Sequence, residues 1–109
     1  MENLTLSFRD EILTAKLHND IDHHSAARVR ALIDEQLYQN LPRVLVFELS
    51  DVNFMDSSGL GLILGRYTKA RELGTEVVIK NPAKRTEKIF RMAGTDKFIK
   101  ILHDKEKKR

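Results

Sequence analysis

Short apolar runs alternate with helical stripes along this chain, and their order predicts the fold. Two runs come first, LTLSF at 4–8 and ILTAKL at 12–17, with RDE between them. Alternating apolar and polar residues are typical of half-buried strands, and the short connection predicts a tight antiparallel hairpin. The next segment, 25–40, places apolar residues on one helical stripe and has two candidate N-caps, Asp22 and Ser25. The stripe consists of Val29, Leu32, Ile33 and Leu37.

Strand and helix patterns continue to alternate through the rest of the chain. RVLVFEL at 43–49 is a continuous apolar run, which predicts a central strand covered on both faces. EVVIK at 76–80 and KFIKIL at 97–102 predict two further strands. The order ββαβαβαβ predicts an α/β fold, a mixed sheet with helices packed against it, in which helical connections favour parallel pairing.

The helix between the last two strands has its own end signals. Asn81 stands where an N-cap would, and Pro82 follows at the first helical position. Gly94 predicts the C-terminal stop of this helix.

Length and composition predict one domain over residues 1–109, with a core at about 3–102. Of the 109 residues, 41% are hydrophobic and 32% are charged, and none is cysteine. The absence of a spanning apolar run, of a signal-peptide pattern and of cysteine leads us to expect a cytoplasmic protein without stable membrane association. The net charge is +3, of which +2 falls in the last six residues. We therefore expect a frayed, charged tail at 103–109 and no direct contact with nucleic acid.

The motif VNFMDSSGLGLILGRY, at 52–67, directly follows the central strand. Ligands of open α/β sheets usually bind at this edge, yet the spacing fits none of the common catalytic motifs. Met55 stands where the hydrolase elbow G-x-S-x-G requires its first glycine before Ser57. The glycines are spaced one residue too far apart for a dinucleotide loop. No suitably placed base follows among the candidates His18, His23, His24 and His103.

A second polar segment, NDIDHH at 19–24, is more simply explained as a strand-to-helix loop with an aspartate cap than as a metal site. Adjacent histidines point in different directions, and no further ligand recurs at a useful spacing. We therefore expect no catalytic residue, no metal and no cofactor.

The three glycines of the motif need an explanation beyond helix capping. Each costs about 0.5–1 kcal/mol relative to alanine inside a helix, so they indicate packing or contact. A helical wheel predicts an outward face that is smooth and carries an exposed leucine, suited to a partner protein. Packing of a glycine beneath a neighbouring loop is an equally open alternative. The predicted core stripe is Leu60, Ile63, Leu64, Tyr67 and Ala70, and the predicted outward face is Ser58, Gly61, Leu62 and Gly65.

A serine at this helix start is also a candidate for modification. Phosphorylation of Ser57 would add about −1.5 to −2 charges where free N–H groups and the helix dipole can accept them. Like-charge repulsion from Asp56 opposes that gain. We expect the fold to tolerate the phosphate and a docked partner to be repelled.

FMDSSGLGLILGRY, together with DIDHHSA and VLVFEL, closely resembles the anti-sigma factor antagonists of the STAS domain family, nearest to its sporulation members. The resemblance implies a non-enzymatic protein that binds an anti-sigma factor and thereby releases a sigma factor. The partner it implies is also a serine kinase with bound ATP or ADP, which phosphorylates Ser57, and a serine phosphatase reverses the modification. It places Asp22, Asp56 and Ser58 around the phosphosite. The partner-binding residues it implies are His23, His24, Ser58, Gly59, Gly61 and Leu62.

One position departs from the family pattern, because Asn19 stands where a glycine is usual. Asparagine tolerates left-handed backbone, so we expect the turn to survive. Two alternatives stay open. A phosphoacceptor receiver domain would use Asp51 or Asp56 but lacks the acidic pair after its first strand, and the other alternative is a small-ligand-binding α/β module.

Overall fold

The hairpin predicted at the start of the chain is present and opens a five-stranded mixed sheet. The computed structural model describes residues 3–104. Its strands are β1 (Leu4–Arg9), β2 (Ile12–His18), β3 (Val44–Asp51), β4 (Glu76–Lys80) and β5 (Lys100–Leu102). Its α-helices are α1 (His23–Asn40), α2 (Ser57–Glu72) and α3 (Lys84–Met92). The predicted order ββαβαβαβ is confirmed.

The strands lie in the sheet in the order of the chain, from β1 to β5. β1 and β2 pair antiparallel through Asp10 and Glu11, which have φ angles of 53° and 66°. Positive φ at both central residues is the geometry of the tight turns that match the twist of a hairpin. Each later pair of neighbours is parallel, as the helical connections predict.

The three helices cover one face of the sheet, because right-handed crossovers add each strand on the same side of the previous one. In β3, Leu45, Phe47 and Leu49 are buried beneath the helices, whereas Val46 and Glu48 between them are only partly buried. The prediction that both faces of this strand are covered is therefore wrong. Val44 lies on the same face as Val46 and is buried, so this second face is covered only near the start of the strand.

Helices α1 and α2 pack against each other and against the sheet. Val29, Ile33 and Leu37 are fully buried and Leu32 is partly buried, which confirms the predicted stripe of α1. Within residues 3–104 no helix combines the length and the apolar character that crossing a bilayer requires.

The segment after β4 departs furthest from the sequence-based expectation. α3 begins at Lys84, and its N-cap, Ala83, makes no side-chain capping hydrogen bond, so the predicted start at Asn81 and Pro82 is wrong. Asn81 has left-handed backbone, with φ of 58°, and its side-chain oxygen accepts a hydrogen bond of 2.9 Å from the backbone N–H of Asp104. The asparagine therefore links the chain beyond β5 to the loop after β4 and does not cap a helix.

The end of α3 follows the prediction better than its start. The helix ends at Met92, and Gly94 follows with φ of 78°, which confirms the predicted stop. The last strand is shorter than predicted, because residues 95–97 form one turn of 3-10 helix. Of the expected tail, His103 lies 2.8 Å from Glu87 through Nε2. Residues 105–109 lie outside the described part of the chain.

Candidate functional site

The loops that follow β2 and β3 lie side by side at one edge of the sheet. The backbone N–H of Asn19 donates a hydrogen bond of 3.1 Å to the carbonyl of Asp51. Asn19 has φ of 63°, so the left-handed turn expected at this asparagine is confirmed. This backbone hydrogen bond is one of the contacts that hold the two loops together.

Two further contacts hold the loops together. Oδ1 of Asp20 accepts a hydrogen bond of 3.1 Å from the backbone N–H of Phe54. Ile21 and Met55 form an isolated parallel bridge, and both side chains are buried. As a result, α1 and α2 begin next to each other, and the aromatic ring of Phe54 is left 47% exposed beside them.

Asp56 caps the start of α2. Its Oδ1 accepts hydrogen bonds from the backbone N–H groups of Ser58, at 2.8 Å, and Gly59, at 3.2 Å. Ser57 is therefore the first residue of the helix and is exposed. Within residues 3–104 no hydrogen-bond partner of its hydroxyl is present, so this hydroxyl is accessible for modification.

Asp22 caps the start of α1 in a capping box with Ser25. Oδ1 of Asp22 accepts a hydrogen bond of 2.9 Å from the backbone N–H of Ser25, and the Ser25 hydroxyl accepts one of 3.2 Å from the N–H of Asp22. The hydrogen bonds from Ser25 lower the pKa of Asp22 below its ordinary value. The structure thus gives this carboxylate a helix-capping role at the edge that also carries Ser57.

A groove runs between α1 and α2, and four of the predicted partner-binding residues line it. We call it the α1–α2 groove; its volume is about 310 Å³. The four residues are His23, Ser58, Gly61 and Leu62, and the other lining residues are Ala26, Ala27, Arg30, Gly65 and Arg66. The remaining two predicted residues, His24 and Gly59, do not line the groove.

The glycines of α2 divide into two kinds. Gly59 is buried, and a Cβ added there would collide with the side chain of Met55. A Cβ at Gly61 or Gly65 would meet nothing within 4 Å. Close packing explains Gly59, so the packing alternative left open by the sequence holds at this position. Gly61 and Gly65 have open space around them, and contact with a partner protein there stays a prediction.

The prediction that Leu62 is exposed is wrong, because its side chain is only 5% exposed. The helical wheel allowed for one buried face, but α2 is covered on two sides, by the sheet and by α1. Leu62 lies on the side toward α1 and lines the groove. Of the predicted core stripe, Ile63 and Ala70 are fully buried, and the other three residues pack partly buried against the core.

The charge lining the groove is positive. Arg66 is 7% exposed, and its Nε lies 2.8 Å from Oδ1 of Asp34, an ionic contact without the alignment of a hydrogen bond. Burial lowers the pKa of Arg66 below its ordinary value, Asp34 opposes this change, and Arg30 adds to it. Arg30 is exposed and lines the groove, whereas no acidic side chain does. The groove therefore suits a segment with negative charge.

The histidines do not supply a base to the serines. Within residues 3–104 no hydrogen bond joins Ser57 or Ser58 to a histidine. His18 instead contacts Thr5 at 2.7 Å and Asp51 at 3.1 Å, on the open face of the sheet. The same described residues contain no group of three or more His, Cys, Asp or Glu side chains that could hold a metal ion.

A family model of the STAS domain matches residues 3–107. The chain belongs to the STAS domain family. An anti-sigma F factor antagonist of Paenibacillus polymyxa is 34% identical over 90 residues, which cover 83% of this chain and 77% of that protein. The unphosphorylated form of the anti-sigma factor antagonist SpoIIAA matches with a TM-score of 0.82 at 26% identity, over 94% of this chain and 89% of that one. Phosphorylated SpoIIAA of Bacillus matches with a TM-score of 0.77 at 26% identity, over 94% and 92%.

Some residues of this STAS domain site were missed by the sequence reading. The helical wheel was applied to α2 alone, so it missed three residues of α1: Ala26, Ala27 and Arg30. Their spacing from His23 places them with His23 on one face of α1. Arg66 follows the apolar stretch of α2, and only the fold shows that it meets Asp34. The residue spacing in the sequence therefore indicated the groove residues of α1, whereas nothing in the sequence indicated the ion pair between Arg66 and Asp34.

Proposed function

We propose that this STAS domain is an anti-sigma factor antagonist whose binding is switched off by phosphorylation of Ser57. In the unphosphorylated form, the α1–α2 groove and the adjoining loops bind an anti-sigma factor that is also a serine kinase with bound ATP or ADP. This binding releases the sigma factor. A serine phosphatase restores the active form, and the regulated process is sporulation transcription. The names of the relatives and the resemblance to sporulation members of the family support this proposal.

The observation that carries the proposal is the position of Ser57. It is the exposed first residue of α2, its neighbour Asp56 already caps the helix, and its other neighbour, Ser58, lines the groove. A kinase can therefore reach the hydroxyl without unfolding the helix start. A phosphate at this position would lie next to the surface that the partner covers.

The chemistry at the start of α2 favours a switch that acts at the surface. A phosphate adds about −1.5 to −2 charges. The carboxylate of Asp56 already accepts the N–H groups of Ser58 and Gly59, so the phosphate meets a like charge at the helix start. Both forms of SpoIIAA match this fold, with TM-scores of 0.82 and 0.77. We therefore expect the phosphate to change the interface and to leave the fold intact.

The positive groove sets the chemistry of the partner segment, which we expect to be acidic. Arg30 forms no ion pair within residues 3–104 and attracts carboxylates, whereas Asp34 already balances the charge of Arg66. A phosphate on Ser57 would repel the same acidic segment. Arg30→Glu is expected to weaken binding of the anti-sigma factor. Arg28→Glu is the matched control, because Arg28 is exposed on the same helix and does not line the groove. Equal loss of binding in both variants would count against an acidic contact in the groove.

The proposed function is tested by incubating the protein with its cognate anti-sigma factor kinase and ATP. Mass spectrometry then locates the phosphate, which we expect on Ser57 and expect to be missing in Ser57→Ala. Modification of Ser58 alone, or of neither serine, would refute the proposed switch. The modification should be acid-stable, as phosphoserine is, because acid-labile phosphate would support the receiver alternative. Saturable binding of a nucleotide by the isolated protein would support the small-ligand alternative.

A further inference from the structure

The small net charge of the chain conceals a strongly uneven distribution. Residues 80–109 contain eleven Lys or Arg and four Asp or Glu, which gives +7. Residues 1–79 contain eight and twelve, which gives −4. The positive charge therefore belongs to α3, β5 and the sequence that follows them, and a whole-chain average does not reveal it.

The cations of α3 differ in whether they are paired. Arg91 lies 2.6 Å from Glu87 and 3.0 Å from Asp96, so its charge is balanced. Lys84, Arg85 and Lys88 are exposed, and none of them forms an ion pair within residues 3–104. The helix thus presents three uncompensated positive charges to solvent.

An exposed apolar side chain lies among these cations. The core side of α3 is formed by Thr86 and Phe90, whereas Met92 on the outward side is 77% exposed. Met92 lines a shallow depression of about 380 Å³ together with Lys84, Lys88 and the ion-paired Glu87 and Arg91. We call Lys84, Arg85, Lys88 and Met92 the α3 face.

We propose that the α3 face docks on the surface of a bilayer that contains anionic phospholipid. The three cations contact the phosphate-bearing headgroups, and Met92 enters the boundary between headgroups and acyl chains. The sequence continues with four further cations, Lys105, Lys107, Lys108 and Arg109, which lie outside the described residues. The association is peripheral and reversible, which is compatible with the expected lack of stable membrane association.

The composition of the α3 face favours lipid over nucleic acid. Surfaces that bind nucleic acid sequence-specifically or as single strands add further polar donors or stacking aromatic side chains to their cations. The α3 face has no aromatic ring, no amide and no hydroxyl, and the one hydroxyl of the helix, on Thr86, is buried. Helices that lie on membranes combine Lys and Arg with apolar side chains that enter the headgroup boundary, and the α3 face has both kinds of residue.

The test measures co-sedimentation of the full chain with vesicles of two compositions. One is phosphatidylcholine alone, and the other is an equal mixture of phosphatidylcholine and phosphatidylglycerol. We expect binding to the mixed vesicles only, falling as the salt concentration rises. Each cation near an anionic surface contributes about fivefold in affinity, so Lys84→Gln, Arg85→Gln and Lys88→Gln combined should weaken binding about a hundredfold.

Two sets of variants separate this docking from simple charge attraction. The matched control removes the same charge at Arg9, Arg43 and Arg71, which are exposed and lie outside α3, and it should bind nearly as well as the unmodified chain. Met92→Ser keeps every charge and should also weaken binding. Equal losses in control and α3 variants, or an unchanged Met92→Ser, would overturn the proposal.

Two further results would also overturn it. One is that replacing the four cations of residues 105–109 by glutamine removes all the binding while the α3 variant removes none. The other is binding to duplex DNA without binding to the mixed vesicles. The inference does not rest on the proposed function, because none of these measurements involves Ser57 or an anti-sigma factor.

Discussion

Helices α1 and α2 begin side by side with the same type of cap, yet their serines hold different positions relative to that cap. Each helix has an aspartate at the N-cap, Asp22 in α1 and Asp56 in α2. In α1 the third helical residue is Ser25, and its hydroxyl completes a capping box. In α2 the third residue is Gly59, which packs on Met55 and has no side chain to return a hydrogen bond.

The difference shows how a helix start can leave a serine available for modification. At the start of α1 the serine is needed for the hydrogen bonds of the cap. At the start of α2 the aspartate alone satisfies two N–H groups, and Ser57 stands one position after it with its side chain in solvent. Both helices have aspartate as the N-cap. Whether a serine hydroxyl is available is therefore set by the helical position of the serine and not by the identity of the N-cap.

The largest expected effect is on partner binding. Ser57→Asp places a permanent charge beside the groove and should weaken binding of the anti-sigma factor about a hundredfold, because like charges brought together in an interface cost several kcal/mol. Ser7→Asp, on exposed β1, adds the same charge elsewhere and should bind normally. Titration calorimetry with the purified anti-sigma factor checks both variants. Equal affinities for Ser57→Asp and the unmodified chain would contradict the proposed surface switch.

The next largest effect is expected from making the two helix starts alike. Gly59→Ser gives α2 the serine that α1 has at the third position, but its Cβ collides with the buried side chain of Met55. Overpacking of this kind costs about 1–3 kcal/mol of unfolding free energy. Gly61→Ser is the matched control, because its Cβ has free space, and serine is a better helix former than glycine by about 0.5 kcal/mol. Urea denaturation compares the two, and equal stabilities would show that Met55 can move aside.

Much of the fold follows from sequence pattern, whereas the site follows only in part. The order of strands and helices could be predicted, because apolar residues repeat at a different spacing in strands and in helices. The exposure of Leu62 was mispredicted because burial of α2 depends on α1, which is distant in the sequence. The role of Asn81 was mispredicted because its partner, Asp104, lies beyond α3, the 3-10 turn and β5. The type of each strand or helix can be predicted from its own residues. Contacts between segments that are distant in the sequence cannot be predicted in this way.

A smaller effect is expected when the cap of α2 is removed. Asp56→Ala leaves the N–H groups of Ser58 and Gly59 without their acceptor and should lower the unfolding free energy by about 1 kcal/mol. Ser57→Ala should leave the stability unchanged, because the Ser57 hydroxyl has no role in the cap. Thermal and urea denaturation of both variants measure the difference. A loss of stability in Ser57→Ala as large as in Asp56→Ala would contradict the division of roles between the two residues.

The smallest expected effect is the pH dependence of the α1 cap. The pKa of Asp22 is lowered by its hydrogen bonds with Ser25, so folding favours the ionised carboxylate. Its stabilising contribution is therefore complete above the ordinary pKa of 3.8 and is lost as the pH falls through the lower pKa of the folded state. Asp22→Asn keeps an N-cap acceptor but cannot titrate. The difference in unfolding free energy between the unmodified chain and Asp22→Asn should shrink as the pH falls through this range. A difference that stays constant with pH would mean that charge at Asp22 plays no part in the cap, and that the two helix starts differ only in where their serines stand.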